Sequence, residues 1–365
     1  MSAAVPHIPF MQEPLPRVLF VIAGTEEGSC MIFARRQAET LRRHGLDVPV
    51  FYLRSRTSPR ILFSEWRRFR KELRIVRPHI IHAHFGTVTA LFAAIAAQGV
   101  PLVITYRGSD LNPVAGTSGA RLRARIGHVF SQAAALAAAR IVCVSEQLTR
   151  RLLWRKERAV VLPSGVDPDI FRPEPRELAR RRLGWNHDDI VVLFNSGNGA
   201  PVKRRDLAEA AVGCARRTRP SLRMEVMDGH CDPDLVPAVM NASDCLLVTS
   251  DYEGSPTVVQ EALACNLPVV SVNVGDVAQR LAGVRATCIA PRDPQALAQA
   301  LDAVLSLGAR SDGRLKLNEC SSHHVASELY AIYARIVKNA RVAAKIGEIE
   351  PRIAEGTPAG GQRNL

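Results

Sequence analysis

Two glutamates, Glu253 and Glu261, stand eight residues apart in the stretch SDCLLVTSDYEGSPTVVQEALACNLPVVSVNVGD, which runs from Ser243 to Asp276. On a continuous helix that spacing is about 12 Å along the axis at ~1.5 Å per residue, beyond the roughly 5 to 9.5 Å at which paired carboxylates act on one glycosidic bond. Carboxylates so placed suit the two ends of one long ligand. Between them Gly254, Ser255, Pro256, Thr257 and Val258 lead into a helix start. Amides without carbonyl partners and the positive end of the helix dipole favour an anion there, such as a diphosphate. Hydroxyls at both ends and phosphates in the middle describe an activated sugar. Lys203, in GNGAPVKRRDLAEAAV, adds a cation before another helix. Positive charge is unfavourable at that end of a helix, so it too points to a bound anion. The alternative is an ordinary α/β unit with solvated glutamates and a basic helix start.

The elements that must hold these residues are legible around them. CLLVT and LPVVSV have the length and β-branched composition of strands buried on both faces of a parallel sheet. Ser255 suits an N-cap and Pro256 the first helical position, with the helix running through VVQEALA until Asn266 and Pro268 stop it. Upstream, RVLFVIAG reads as a strand, followed by the loop Gly24 to Gly28, a helix from about Ser29 to His44, and the strand DVPVFYL. Gly24-x3-Gly28 is not the dinucleotide fingerprint, though a glycine loop before a helix suits phosphate or substrate approach at Gly28. HIIHAHFG, PLVITYRGSD and RIVCVSEQLTRRL are apolar runs ending in polar residues, and ligands bind at such strand ends in open α/β sheets. His79 and His82 are expected to be structural. IVVLFNSG opens a second α/β series, with LRMEVMDGH as its next strand.

Glu253-Gly254-Ser255-Pro256 through Glu261 resembles the E-x7-E motif of the family 4 retaining glycosyltransferases, and the order of the other motifs agrees over about residues 17 to 340. The resemblance implies the GT-B architecture: α/β, two Rossmann-like domains facing across a cleft. It implies a nucleotide-sugar donor, UDP-linked by preference, on the second domain, and an acceptor on the first. It associates Glu253 with the donor sugar, Glu261 with the ribose and Lys203 with the diphosphate; His84 and Asp110 fall on recurrent positions. Two departures stand out. Arg107 replaces the histidine usual before Gly-x-Asp, and Asn198 replaces an arginine usual five residues before Lys203. Arg204 or Arg205 could replace that charge. Arginine cannot serve as a base near neutrality but donates hydrogen bonds and stabilises phosphate charge. The implied catalytic set is Arg107, Asp110, Lys203 and Glu253; the implied donor set is Gly28, Asn198, Lys203, Gly254 to Val258, Glu253 and Glu261. The resemblance requires neither metal nor cofactor. Asp167-Pro168-Asp169 offers a D-x-D pair, which its prolines make better suited to a turn. The acceptor implied is lipid-linked or polysaccharide, in surface glycan synthesis. A nucleotide-sugar epimerase of the same architecture is the second reading, and a nucleic-acid or anion binder the third.

Bulk properties bound these readings. At 365 residues with 47% hydrophobic and 23% charged residues, the chain suits two globular domains. The expected division is a lead-in over 1–16, a first domain over 17–166, a second over 167–320, a helix over 321–345 returning to the first, and a disordered tail over 346–365. The eight cysteines lack a C-x-x-C pair and read as reduced thiols. The opening residues lack a signal-peptide pattern and no run suits a membrane span, so a cytoplasmic location, peripheral to the inner membrane face at most, is expected. Residues 1–166 carry 24 Lys and Arg against 10 Asp and Glu, and the remainder 24 against 25, so the first half holds all of the +13 excess. Arg54 to Pro78 is a basic amphipathic helix suited to anionic lipid, with Trp66, Phe69, Leu73 and Val76 better read as covering the sheet. No aromatic-interleaved basic motif supports nucleic acid as a partner.

Overall fold

The computed structural model describes residues 15–26, 31–112, 118–197 and 199–355, with the backbone alone over 342–355. The first unit alternates β1 (Val18–Ala23), α1 (Ile32–Arg43), β2 (Val50–Leu53), α2 (Pro59–Val76), β3 (Ile80–His84), α3 (Thr87–Ala96), β4 (Leu102–Tyr106), α4 (Ser118–Ala137), β5 (Ala138–Cys143), α5 (Glu146–Arg151) and β6 (Ala159–Val161). Its strands form one parallel sheet in the order β2-β1-β3-β4-β5-β6. The second begins with α6 (Arg176–Leu183) and continues β7 (Ile190–Asn195), α7 (Arg205–Ala215), β8 (Leu222–Met227), α8 (Val236–Ala242), β9 (Cys245–Val248), α9 (Thr257–Ala264), β10 (Val269–Val272), α10 (Val277–Leu281), β11 (Thr287–Ala290) and α11 (Pro294–Ser306). Its parallel sheet has the order β11-β10-β9-β7-β8. These are the two Rossmann-like sets that the apolar runs predict, because strands covered on both faces have no solvent side to alternate toward. Every residue of β1, β3, β4, β9 and β10 is buried.

Strand order reverses between β1 and β3 in the first sheet and between β7 and β9 in the second. Chains leaving a sheet in opposite directions open a crevice at the carboxyl ends of such strands. The Gly24 loop, the Lys203 loop and the loop 249–256 are thereby delivered to that edge of their sheets. The last helix, α12 (Ser322–Glu355), packs Val325, Leu329 and Tyr333 against Phe20, Ile22 and Ile80 of the first sheet. Its backbone stays helical to Glu355, so the stretch 346–355, read from its polarity as part of a disordered tail, continues the helix; 356–365 lie outside the described residues. Two shorter differences concern helix starts. α1 begins at Ile32, and α9 begins at Thr257 with Pro256 as its cap residue. Ser255 is not the cap, because its hydroxyl is committed elsewhere: it donates to Asp276 Oδ2 at 2.8 Å and accepts from Gln260 Nε2 at 2.9 Å.

Candidate active site

The loop after β4 is organised by Asp110. Its carboxylate is wholly buried and accepts from the backbone amides of Gly86 at 3.0 Å, Arg107 at 3.0 Å and Gly108 at 2.8 Å. Burial raises its carboxyl even against these three bonds. With its oxygens so used, Asp110 shapes the loop and does not reach into the crevice as a direct catalytic group would. Arg107 does occupy the crevice wall. Its guanidinium donates to Ser164 Oγ at 2.8 Å and His84 Nδ1 at 3.1 Å and lies 4.1 Å above the Phe33 ring. Burial lowers it to about 9, which leaves it a cation at neutral pH, and Arg107 Nε has no partner among the described residues. Burial, then the neighbouring His82 and Arg107, holds His84 neutral, and its Nε2 is likewise unpartnered among them. His82 is structural as expected, bridging Tyr333 Oη at 2.6 Å and Thr105 Oγ1 at 2.7 Å; so is His79, which accepts from the Arg17 amide at 2.9 Å.

On the facing unit, Glu253 Oε1 accepts from Lys203 Nζ at 2.6 Å and from Ser250 Oγ at 2.8 Å. Both members of the ion pair are about four-fifths shielded from solvent, so the contact is tighter than a surface pair. Lys203 reaches Glu253 over Gly197, whose φ of +55° and lack of a side chain leave room; a Cβ there would stand 3.0 Å from Lys203 Cε. Lys203 itself closes a short 3-10 turn, Pro201–Lys203, before α7. Arg204 pairs with Asp206 and Asp251, and Arg205 with Glu209. Asn198 and Gly28 lie outside the described residues.

The two units meet at Gly254. A Cβ on it would lie 2.1 Å from the Arg107 carbonyl oxygen, and Asn112 Nδ2 donates to the Glu253 carbonyl at 3.1 Å. The Arg107 backbone thus meets the loop that carries Glu253 and its partner Lys203. The amides of Gly254, Ser255, Thr257 and Val258 donate to no backbone carbonyl among the described residues, while Pro256 has no proton to give and the Val258 side chain is in the core. One turn further along α9, Glu261 faces α1 and approaches Arg36 Nη1 at 3.5 Å. Burial raises its carboxyl, against the pull of Arg36. Glu261 and Thr257 line a cavity of about 190 Å³ with Phe33, Arg36, Gln37 and Phe171. Phe33, Arg36 and Gln37 escaped the sequence reading; their i, i+3, i+4 spacing marks one helix face but not what it meets.

Among the described residues, Asp167, Asp169 and His323 form a group with ligand atoms within 4.8 Å of one another. Asp167 already has a cation, Arg43 at 3.1 Å, and accepts the Asp169 amide at 3.0 Å. That is the turn the prolines suggest.

Residues 27–170 match a family model described as Glycosyltransferase Family 4, and 191–306 one described as Glycosyl transferases group 1. TuaC of Bacillus subtilis, by its name a candidate teichuronic acid biosynthesis glycosyltransferase, is 29% identical over 244 residues, 61% of this chain and 60% of TuaC. D-inositol 3-phosphate glycosyltransferase 1 of Catenulispora acidiphila is 28% identical over 273 residues, 63% of this chain and 65% of that one. The chain therefore spans less than two thirds of the length of either relative. Among solved structures, a glycosyltransferase from Rickettsia africae matches with a TM-score of 0.69 at 15% identity, covering 90% of this chain and 100% of that one. Anabaena HepE in complex with UDP matches with a TM-score of 0.57 at 16% identity, covering 91% and 100%. These likenesses establish the two-domain GT-B fold. With one family model over 27–170 of its first unit and the other over 191–306 of its second, this chain belongs to the family 4, group 1 glycosyltransferases of the GT-B fold.

Proposed function

We infer that the protein transfers a sugar from a nucleotide-sugar donor, UDP-linked by preference, to a lipid-linked or polysaccharide acceptor, with retention at the anomeric carbon and without a metal. The observation that carries this is the meeting of Lys203, Glu253 and Arg107 at Gly254. Family membership and the UDP held by the similarly folded HepE support the choice of donor. In this reading Glu261 and its cavity take the ribose, and Glu253 the sugar hydroxyls. The diphosphate lies along the amides of residues 254–258 beside Lys203. As the bond from sugar to phosphate breaks, charge grows on the leaving diphosphate, and donors already aimed at it lower the barrier because they need no reorganisation. Arg107 supplies a second fixed cation on the opposite wall. The departing phosphate takes the proton of the acceptor hydroxyl, which enters on the same face. Glu253 is held in an ion pair with Lys203, so it orients hydroxyls in preference to attacking carbon.

Calorimetry with UDP, GDP, ADP and their sugar conjugates, with and without magnesium, tests the donor site. Binding of one nucleotide class that is indifferent to magnesium and weakened in Glu261→Ala is expected. Unchanged affinity in that variant would remove the ribose assignment, and donor consumption without an acceptor would favour the epimerase reading.

A further inference from the structure

Helix α4 has its small residues inside and its large apolar residues outside. Ser131, Ala134 and Ala135 are buried against the rest of the domain. Gly127 lies so near Thr87 that a Cβ would come within 3.1 Å of Thr87 Cγ2. The outward stripe is Leu122, Ile126, Val129 and Leu136, exposed by 59%, 45%, 64% and 49%. Spacings of four, three and seven residues set all four on one helix face. Across a shallow groove of about 550 Å³, floored by Leu111, the stripe continues to Leu153 and Trp154, exposed by 67% and 52%. A helix that needed only to cover its sheet would be patterned the other way round, and contiguous exposed apolar surface on a soluble domain marks an interaction site.

The charge around the stripe selects the partner. No acidic residue occurs between Asp110 and Glu146, whereas Arg121, Arg123 and Arg125 stand exposed on the flanks of the stripe with no ion-pair partner among the described residues. Arg150 and Arg155 are also exposed, though each has a carboxylate beside it, Glu146 at 3.1 Å and Glu157 at 3.9 Å, so Arg121, Arg123 and Arg125 carry the charge that selects the partner. A second copy of this face would bring arginines against arginines. A phosphate backbone would satisfy the arginines and leave the apolar row in water. A bilayer of anionic lipids meets both, with guanidinia among the headgroups and the leucine, isoleucine, valine and tryptophan side chains at the acyl boundary. The basic helix α2, whose charge suits anionic lipid, turns Phe69 and Leu73 onto the sheet as expected and leaves Phe63 and Ile75 exposed.

We propose that the α4 face, from Leu122 to Trp154, docks the protein on an anionic membrane surface. The face is wired to the active-site loop: Ser131 Oγ donates to the Asp110 carbonyl at 2.8 Å, and Tyr106 Oη to the Ser131 carbonyl at 2.6 Å. On the proposed reading of a lipid-linked acceptor, docking through α4 holds at the bilayer the helix that is hydrogen-bonded to the loop carrying Arg107.

The test is co-sedimentation of the full chain with phosphatidylcholine vesicles, with and without phosphatidylglycerol. No nucleotide is present, so the result stands apart from the donor assignment. Binding that requires phosphatidylglycerol and weakens with salt is expected. Combined R121Q, R123Q and R125Q should weaken it on the order of a hundredfold, at about fivefold per arginine. Combined L122Q, V129Q and L136Q, all at exposed positions, should weaken it at least tenfold while leaving the circular dichroism spectrum unchanged. Absence of binding in the wild type, or triple variants that bind as the wild type does, would overturn the proposal. So would a solution dimer lost in the apolar variant, which would give the face to a second copy, or vesicle-independent capture of an acidic protein through the same residues.

Discussion

At Arg107 the chain places a buried cation on the crevice wall, and the surroundings explain how a guanidinium is tolerated there. Phe33 offers a ring face at 4.1 Å, and Ser164 and His84 accept from its nitrogens, contacts that replace part of the lost hydration. Removing the charge in Arg107→Gln should lower kcat by about 10² to 10³, the loss typical of one fixed donor to a developing anion. Lys203→Ala should act in the same direction and also leave Glu253 as a shielded charge without its partner. Steady-state kinetics on both variants checks this; full activity in Arg107→Gln would reduce that residue to a packing role. The buried imidazole of His82 makes a different prediction. Burial, and secondarily Arg107, holds it down to about 3, against 6.5 in an unfolded chain. As pH falls below 6.5, the unfolded chain takes up a proton that the folded one refuses. Stability present above that pH is then lost at up to ~1.4 kcal/mol per pH unit. Urea unfolding from pH ~6.5 down to ~4.5 should show a shallower decline in His82→Gln than in the wild type; equal slopes would mean the imidazole is protonated in the fold.

Among the elements, the loop from Ser250 to Pro256 shows how a strand end becomes a site. β9 delivers it, α9 ends it, and Gly254 lets it lie against the opposite domain with no room for a methyl group. Gly254→Ala should cut activity at least tenfold, because the backbones must separate to admit the Cβ. The thermal midpoint should fall by only a few degrees, since the strain of about 1–3 kcal/mol falls on domain apposition and not on either core. Differential scanning calorimetry beside an activity assay separates the two, and a fully active Gly254→Ala would show that closure at this point is dispensable. The helix starts teach a related lesson. Ser255 has the residue type of an N-cap, yet Asp276 and Gln260 claim its hydroxyl. Local propensity was outweighed by partners more than four residues away.

For the whole molecule, α12 ties the end of the chain to its beginning. Leu329 and Tyr333 are fully buried against the first sheet, and Tyr333 hydrogen-bonds His82 on β3. Leu329→Ala should destabilise the protein by roughly 2–5 kcal/mol, the cost of a cavity in a core that cannot fully collapse. Chemical denaturation checks it, and a change under 1 kcal/mol would mean that α12 is loosely held. Among the described residues no helix is long and apolar enough to cross a membrane.

Much of this was written in the chain itself. Runs such as VLFVIA and CLLV are apolar without alternation, which only strands covered on both faces require, so two parallel sheets were legible before any coordinates. The spacing of Glu253 and Glu261, the glycine between Glu253 and Ser255, and the lysine at 203 marked the loops of the candidate site, because each feature acts within a few residues of itself. What depends on distant neighbours was not legible. Asp110 looked like a site carboxylate until the fold turned three amides onto it. Arg36 became a neighbour of Glu261 only when α1 met α9. The outward stripe of α4 has the same helical period as an inward one, and only packing against α3 decides which way it points. Periodicity states that a helix has a face; the tertiary structure decides what that face meets, since the answer lies in residues far away in the chain.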